Sequence, residues 1–232
     1  MGIMVGDEYA IIGYRNVAGF QAMDEKGLLI VKEVQEQFSV AQLIYAAGKP
    51  QVGDQLQEIP RIGIEGMLYA GAFMVDNYDI SFIPMVGLKA VLSRGYFLTR
   101  PVVGVEIPLS IATAALSVFD IIPMNAYVGA ELTNLYLGRL QIAPTVVVGV
   151  GGAYLGETAR SFFGTDQEYF MTHVGGKAFI STSLLVSRNA KFTVDAGYAA
   201  WLGLADVLIV MADDSYFDSK AGPFVNVGVT FK

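Results

Sequence analysis

The sequence predicts an all-β fold in which an eight-stranded antiparallel transmembrane β-barrel follows a small soluble β-domain. Its mean hydropathy is +0.48, and only 16% of its residues are charged, whereas an ordinary soluble domain has about 25%. A membrane-spanning helix needs roughly 18 or more apolar residues in a row, and Asp120, Pro123 and Asp206 interrupt the longest apolar runs. A chain this apolar without a helical span indicates strands that each turn one face to lipid.

Residues 1–60 differ in composition from the rest of the chain, and we expect them to form the soluble domain. They contain eight acidic and four basic residues, and Pro60 ends the segment. We expect three to five short strands here. The stretch "GLLIVKEVQEQFSVAQLIYAAGKPQVGDQL" resembles the small barrel at the end of the FlgT family and of related periplasmic proteins. That resemblance implies a periplasmic domain.

The barrel is predicted over residues 61–232, where eight stretches alternate between apolar and small or polar residues. Each is long enough to cross a bilayer as a tilted strand, which takes about 9–11 residues, and bacterial single-chain barrels have an even number of strands. Pro144 opposes this prediction, because it removes a hydrogen-bond donor deep inside a strand. The stretches are 62–74, 80–93, 97–110, 121–137, 139–154, 168–186, 190–203 and 223–231.

The links between these stretches predict an orientation in the membrane. Links that would lie on the side of residues 1–60 are short, namely "SRGY", "LGR" and "SRNA", whereas "SIATAALSVFD", "LGETARSFFGTDQEY" and "GLADVLIVMADDSYFDSKAG" would lie on the other side. Outer-membrane barrels have short periplasmic turns and longer extracellular loops. Bases concentrate at the short-link end, and this predicted set is Arg61, Arg94, Arg139, Arg188, Lys191 and Lys232.

The two faces of each predicted strand differ in polarity. Val103 and Val105, for example, alternate with Gly104 and Glu106. One charge per strand is too few for a water-facing surface, so we expect the aliphatic face to meet lipid, where a central Lys or Arg costs about 2–4 kcal/mol. The lumen is then expected to hold a network of paired ions. The alternative is that some of these charged residues face lipid headgroups at the rims. The expected members are Glu65, Lys89, Arg100, Glu106, Glu131, Lys177 and Asp195.

Aromatic residues cluster near the strand ends, which predicts interfacial girdles, although ordinary strand propensity would also place aromatics there. The expected inner girdle is Tyr96, Phe97, Tyr136, Phe192 and Phe231. The expected outer girdle is Phe73, Tyr78, Phe82, Phe119, Tyr154, Tyr169, Phe170 and Trp201.

In its architecture, the segment 61–232 resembles the OmpA/OmpX/OmpW class of eight-stranded outer-membrane barrels. The resemblance implies that the last strand carries an assembly signal ending in an aromatic residue, a role that falls to Phe231 although Lys232 follows it. It also implies outer-membrane lipid and the outer-membrane assembly machinery as partners. "MGIMVGDEYA" is not a signal peptide, so for an exported protein we expect that a leader has been removed.

Chemistry at a conventional active site is not expected, and neither is a cofactor. The single histidine, His173, lies in "THVGGK", where Gly175 occupies the position of the serine in the His-x-Ser pair of outer-membrane lipid A deacylases. The chain has no cysteine, which excludes thiolate metal sites. Its net charge of −7 argues against nucleic acid as a partner.

Three functions remain open at this point. The leading hypothesis is a non-enzymatic outer-membrane barrel with a plugged lumen, which anchors a domain that binds a periplasmic or envelope partner through residues 1–60. The second is an OmpW-like channel or binding barrel for small hydrophobic molecules, with the apolar run 205–212 lining a pocket. The third is a soluble lipocalin-like carrier.

Overall fold

The chain forms two antiparallel sheets, of which the first is open. The computed structural model describes residues 2–60, 63–77, 79–109, 121–163, 166, 169–203 and 220–232. The N-terminal sheet has the strand order β3-β2-β1-β4. Its strands are β1 (Glu8–Val17), β2 (Phe20–Val34), β3 (Ser39–Ala46) and β4 (Gln55–Ile59).

The second sheet closes on itself. Its strands are β5 (Ile64–Asn77), β6 (Asp79–Leu92), β7 (Arg100–Pro108), β8 (Ile121–Glu131), β9 (Leu135–Leu137), β10 (Leu140–Leu155), β11 (Tyr169–Ser187), β12 (Ala190–Gly203) and β13 (Lys220–Phe231). The circuit runs β5-β6-β7-β8-β10-β11-β12-β13 and returns to β5, with β9 paired to the start of β10. A short helix, α1 (Glu157–Phe163), follows β10. The prediction of a closed eight-stranded antiparallel barrel is confirmed.

The predicted fourth strand, 121–137, is not continuous, because β8 ends at Glu131 and β9 begins at Leu135. Leu132–Asn134 stand opposite Ala143 and Pro144, three residues against two, which makes a bulge. The Leu132 amide donates to the Pro144 carbonyl at 2.8 Å. In an antiparallel ladder a residue directs its N–H and its C=O to the same neighbour. The donor that proline lacks therefore faces the bulge, which explains how Pro144 is tolerated.

The barrel exterior is apolar. Leu68, Leu88, Val128, Val148 and Ile180 are more than half exposed, and each alternates along its strand with residues that point inward. This arrangement is the reverse of a soluble carrier, in which aliphatic side chains fill the centre and charges meet water. No helix among the described residues is long and apolar enough to cross a membrane.

The interior contains an apolar cluster as well as ions. Phe73 and Trp201, expected in the outer girdle, are buried in this cluster, which also contains Met85, Phe179 and Phe224. The girdle prediction is wrong for both residues, because Phe73 has the strand parity of inward Glu65 and Trp201 that of inward Asp195. Tyr78 and Phe119 lie outside the described residues, as do the side chains of Tyr169 and Phe170.

The N-terminal sheet packs against one end of the barrel, which we call the capped end; the opposite end is the far end. Leu28, Ile30 and Ile44 from the sheet form a buried cluster with Phe97 and Leu185 from the barrel. Phe97, expected in the inner girdle, is therefore covered by the sheet and does not face lipid. A two-residue turn joins β11 to β12 at this end, whereas β7, β10 and β12 end at the far end.

Candidate functional site

The interior brings together all seven side chains of the expected ion network. They come from strands β5, β6, β7, β8, β11 and β12, and each lies on the inward face of its strand. Each is at least 95% buried, and each makes an ion pair with another inward side chain. Their positions along the strands separate them into three groups.

The first group lies near the capped end and is centred on Arg100. Its Nε lies 2.7 Å from Glu131 Oε2, and its Nη1 lies 3.3 Å from Glu65 Oε1. A neutral chain continues the network, because Gln141 Nε2 donates to Asn134 Oδ1 at 2.5 Å and Asn134 donates to the Phe97 carbonyl at 3.1 Å. The guanidinium thus joins a carboxylate on the adjacent strand, β8, to one on β5, which lies two strands away on the other side.

The second group lies at mid-height and pairs Lys89 with Asp195. The Lys89 ammonium is 2.6 Å from Asp195 Oδ2, and the Ser181 hydroxyl donates to Asp195 Oδ1 at 2.6 Å. Lys89 also lies 5.4 Å from the centroid of the Phe179 ring. Both carboxylate oxygens of Asp195 have a donor, which reduces the desolvation penalty of burying it.

The third group, nearer the far end, pairs Lys177 with Glu106. Tyr69 donates its hydroxyl to Glu106 Oε2 at 3.1 Å, and Asn125 donates to Oε1 at 3.2 Å. The Lys177 ammonium lies 4.9 Å from the centroid of the Phe224 ring, where a cation–π contact is favourable.

One interior cation was not among the seven. Lys191, expected at the short-link rim, is buried and lies 2.8 Å from Glu65 Oε2 and 2.7 Å from Gln141 Oε1. Strand parity gives the signal, because Lys191 lies four residues before Asp195 and on the same face. With Lys191, the charged side chains of the barrel that are at least 95% buried comprise four acids and four bases, so this part of the described interior is electrically neutral.

The N-terminal sheet contacts a cation at each of four places around the capped end. The contacts lie at the link after β6, at the links before β10 and β12, and at the end of β13. They are Arg94 with Asp7 at 3.3 Å, Arg139 at 4.6 Å from the Tyr45 ring centroid, Arg188 with Glu25, and Lys232 with Glu8 at 2.6 Å. The charges of the sheet and the barrel end are thus complementary.

Phe231 and Lys232 at the end of β13 point in opposite directions. Phe231 is exposed on the outward face, opposite Gly66 of β5 and Ala190 of β12. The side chain of Lys232 turns under the barrel to reach Glu8. The role of Phe231 as an assembly signal stays a prediction.

The far end holds His173 and a small cavity. His173 is buried with Nδ1 2.8 Å from the Thr172 hydroxyl oxygen, and Gly175 stands where a nucleophile would be needed. The cavity is about 30 Å³, and its lining includes Phe73, Ile83 and Trp201. The run 205–212 lies outside the described residues. Within the described part of the chain, no three carboxylates or imidazoles are grouped as metal ligands.

Comparisons with known proteins return structural similarity alone, since no protein-family model and no curated protein matches the sequence. Neisserial surface protein A is similar at 10% identity and a TM-score of 0.45, over 73% of this chain and 97% of that chain. Ail, the attachment invasion locus protein of Yersinia pestis, is similar at 14% identity and a TM-score of 0.39, over 73% and 97%. A major outer membrane protein from Thermus thermophilus has 12% identity and a TM-score of 0.34, over 72% and 98%. At these scores the similarity carries no argument, and the fold rests on the strand pairing.

Proposed function

We propose that the chain is a non-enzymatic barrel of the bacterial outer membrane, with a lumen plugged by ion pairs, that holds its N-terminal sheet at the periplasmic mouth. The sheet would present its free surface to a periplasmic or envelope partner. The other proposed partners are outer-membrane lipid and, during biogenesis, the outer-membrane assembly machinery, which would act on the strand that ends at Phe231.

The inverted distribution of polarity carries the membrane part of the proposal. Aliphatic side chains cover the outside of a closed cylinder, and eight charged side chains lie within it. In water, the exterior would expose a continuous apolar surface far larger than the few hundred Å² that soluble monomers tolerate. In a bilayer, the same surface is solvated by acyl chains.

The plug is supported by the ion pairs and the barrel size. An eight-stranded barrel is just wide enough for its own side chains. Lys89 reaches Asp195 and Lys177 reaches Glu106, each three strands away around the eight-stranded circuit, and the N-terminal sheet covers the capped end. Every interior charge has a partner, so water entry would have to break buried pairs.

The position of the sheet favours the periplasmic side. At the capped end, two residues separate β11 from β12 and seven separate β6 from β7. At the far end, 12 residues separate β7 from β8, 13 separate β10 from β11 and 16 separate β12 from β13, although a single residue separates β5 from β6. Short turns face the periplasm in outer-membrane barrels. The resemblance to the FlgT-type small barrel implies that residues 1–60 form a separate soluble domain. We propose instead that they form a cap docked on the barrel, with the opposite face of the sheet free to bind a partner.

Detergent extraction, gel migration and bilayer conductance test the proposal. We expect the protein to require detergent, to migrate differently on a gel before and after boiling, and to give negligible conductance in a planar bilayer. A protein that stays monomeric and dispersed without detergent would refute the membrane assignment. A stable conductance would refute the plug alone.

The far-end cavity supports a second candidate, the binding of small apolar molecules. Phe73, Ile83, Met85 and Trp201 form its apolar wall, and Asn125, His173 and Lys220 form its polar wall. A ligand would combine an apolar body with a polar group, and the cavity of about 30 Å³ would have to widen to admit it. Trp201 is the only tryptophan, so its fluorescence reports the site directly. Saturable quenching or a spectral shift with a small aromatic probe would favour this candidate over a pure tether.

A further inference from the structure

The hairpin between β1 and β2 extends beyond the rest of the N-terminal sheet. β4 pairs only with Glu8–Ile12 of β1, and β3 pairs only with Gly27–Val34 of β2. Residues 13–24, which we call the ribbon, therefore pair only with each other in the described structure. An isolated two-stranded ribbon is marginally stable in water, so its surroundings must contribute to its stability.

The ribbon exposes large apolar side chains on both of its faces. Phe20 is 79% exposed and Met23 is 64% exposed, and their cross-strand partners Val17 and Tyr14 are about half exposed. Alternation puts Tyr14 and Met23 on one face and Val17 and Phe20 on the other. A protein partner normally covers one face of a hairpin, whereas a fluid apolar medium surrounds both.

The charge of the ribbon differs from that of the chain as a whole. The chain has a net charge of −7, whereas the ribbon is neutral, because it contains one base, Arg15, and one acid, Asp24, which lies in the residue pair furthest from the tip. The tip is a tight turn of small residues, in which Ala18 has φ 52° and Gly19 has φ 89°. Such a tip is slim, apolar and weakly cationic, which suits the boundary between phosphate headgroups and acyl chains.

Two ion pairs define where the ribbon points. Glu8, at the start of β1, contacts Lys232 under the barrel mouth. Glu25, which pairs with Ile12 further along the hairpin, contacts Arg188 at the rim turn between β11 and β12. The hairpin thus runs from the mouth to the rim, and its tip lies five residue pairs further on, roughly 17 Å at the usual rise per residue.

We propose that the ribbon tip inserts into the phospholipid interface that surrounds the capped end of the barrel. This inference rests on the proposed membrane location. The rim that the hairpin crosses is flanked by the outward apolar residues Leu184, Val186 and Phe192, so the tip continues the lipid-facing surface of the barrel. Val17 and Phe20 enter the acyl boundary, and Arg15 lies within reach of lipid phosphates.

Site-specific fluorescence quenching tests this, because the chain has no native cysteine to interfere. An environment-sensitive fluorophore is attached to each of three single variants, Phe20→Cys, Val148→Cys and Val52→Cys. Each labelled protein is reconstituted in vesicles of phosphatidylethanolamine and phosphatidylglycerol, with or without spin-labelled lipid. Val148 is the barrel-exterior reference, and Val52 is a fully exposed site in the turn between β3 and β4 of the N-terminal sheet. A change in gel migration on boiling confirms that each variant is folded.

We expect the spin-labelled lipid to quench the label at position 20 to an extent comparable with position 148, and to leave position 52 unchanged. If position 148 is quenched and position 20 behaves like position 52, the ribbon inference is overturned and the membrane assignment stands. If position 20 is shielded from an aqueous quencher but untouched by the lipid quencher, a protein contact replaces the lipid contact. If position 148 is not quenched, both proposals fail.

Discussion

Lys191 and Glu65 form an ion pair across the strand that closes the barrel. Lys191 is on β12, Glu65 is on β5, and β13 lies between these strands. Their side chains meet inside the lumen at 2.8 Å although they are 126 positions apart in the chain. The pair therefore ties the first strand of the barrel to the last hairpin and reinforces the β5–β13 seam.

Replacing Lys191 by methionine should destabilise the closed barrel. The substitution leaves Glu65 buried with only Arg100, 3.3 Å away, as a counterion. Breaking a buried pair by removing one partner costs about 3–5 kcal/mol, and the remaining guanidinium places this variant near the lower end. Urea unfolding in phospholipid vesicles, followed by the gel-shift fraction, measures the loss.

A double variant separates the ion pair from general packing. Lys191→Met combined with Glu65→Gln removes both charges, and replacing a buried pair as a whole is often close to neutral. We expect the double variant to recover most of the lost unfolding free energy. If it is as unstable as Lys191→Met alone, the ammonium acts through its hydrogen bond to Gln141 and not through Glu65.

The closed barrel and its inverted faces could be predicted because strand alternation is a local signal. The same alternation puts Lys191 on the face of Asp195 and turns Phe73 and Trp201 inward. The sequence interpretation assigned these three residues to the rims instead, because it gave nearness to a strand end more weight than strand alternation. The docking of the N-terminal sheet had no such signal. Contacts such as Glu8 with Lys232 join positions 224 apart, and no periodic pattern encodes which sheet face covers which barrel end.

At two inward glycines, any larger residue should lower the stability of the barrel, because the rings of lumenal tyrosines lie over them. The ring of Tyr127 lies over Gly104 of the neighbouring strand, and Tyr69 lies over Gly87 in the same way, so a Cβ at either glycine would overlap the phenol. Gly104→Ala should therefore lower the free energy of unfolding by about 1–3 kcal/mol, the usual cost of overpacking. Gly66→Ala, on the outward face of β5, is the control for a strand glycine with open space, since a Cβ there meets nothing within 4 Å. Equal stability of the two variants would mean that Tyr127 moves aside freely.

Asp54 should make the loop before β4 sensitive to acid. Its carboxylate accepts a hydrogen bond from Lys26 Nζ at 2.6 Å and another from the Gln51 amide at 2.7 Å, and the Lys26 bond is the main reason that its pKa lies below the ordinary value. Because the folded pKa is lowered, the stabilisation is present above the unfolded pKa of about 3.9 and is lost as the pH falls through the folded value.

Amide exchange of Gln51 checks this pH dependence. Protection should fall as the solution is acidified from about pH 6 to pH 2. The variant Asp54→Asn should show weaker protection with little dependence on pH, whereas Asp24→Asn, at an exposed acid, should behave like the parent protein. Parent protection that stays constant at acidic pH would show that Lys26 is not what holds the loop.

Lys232 should fasten the N-terminal sheet to the barrel without contributing to closure itself. Its ammonium pairs with Glu8 at 2.6 Å and both groups are buried, whereas the ladder that closes the barrel ends at Phe231 opposite Gly66. Breaking a buried pair costs about 3–5 kcal/mol, and the further interaction of Glu8 offsets part of this cost. Lys232→Met should therefore speed proteolysis within residues 2–60 by roughly tenfold or more, while the gel shift of the barrel stays unchanged. Lys49→Met, at an exposed loop position, is the control for loss of a cleavage site and of one charge.

Faster proteolysis accompanied by loss of the gel shift would contradict this separation of roles, and would mean that Lys232 also stabilises the seam between β13 and β5.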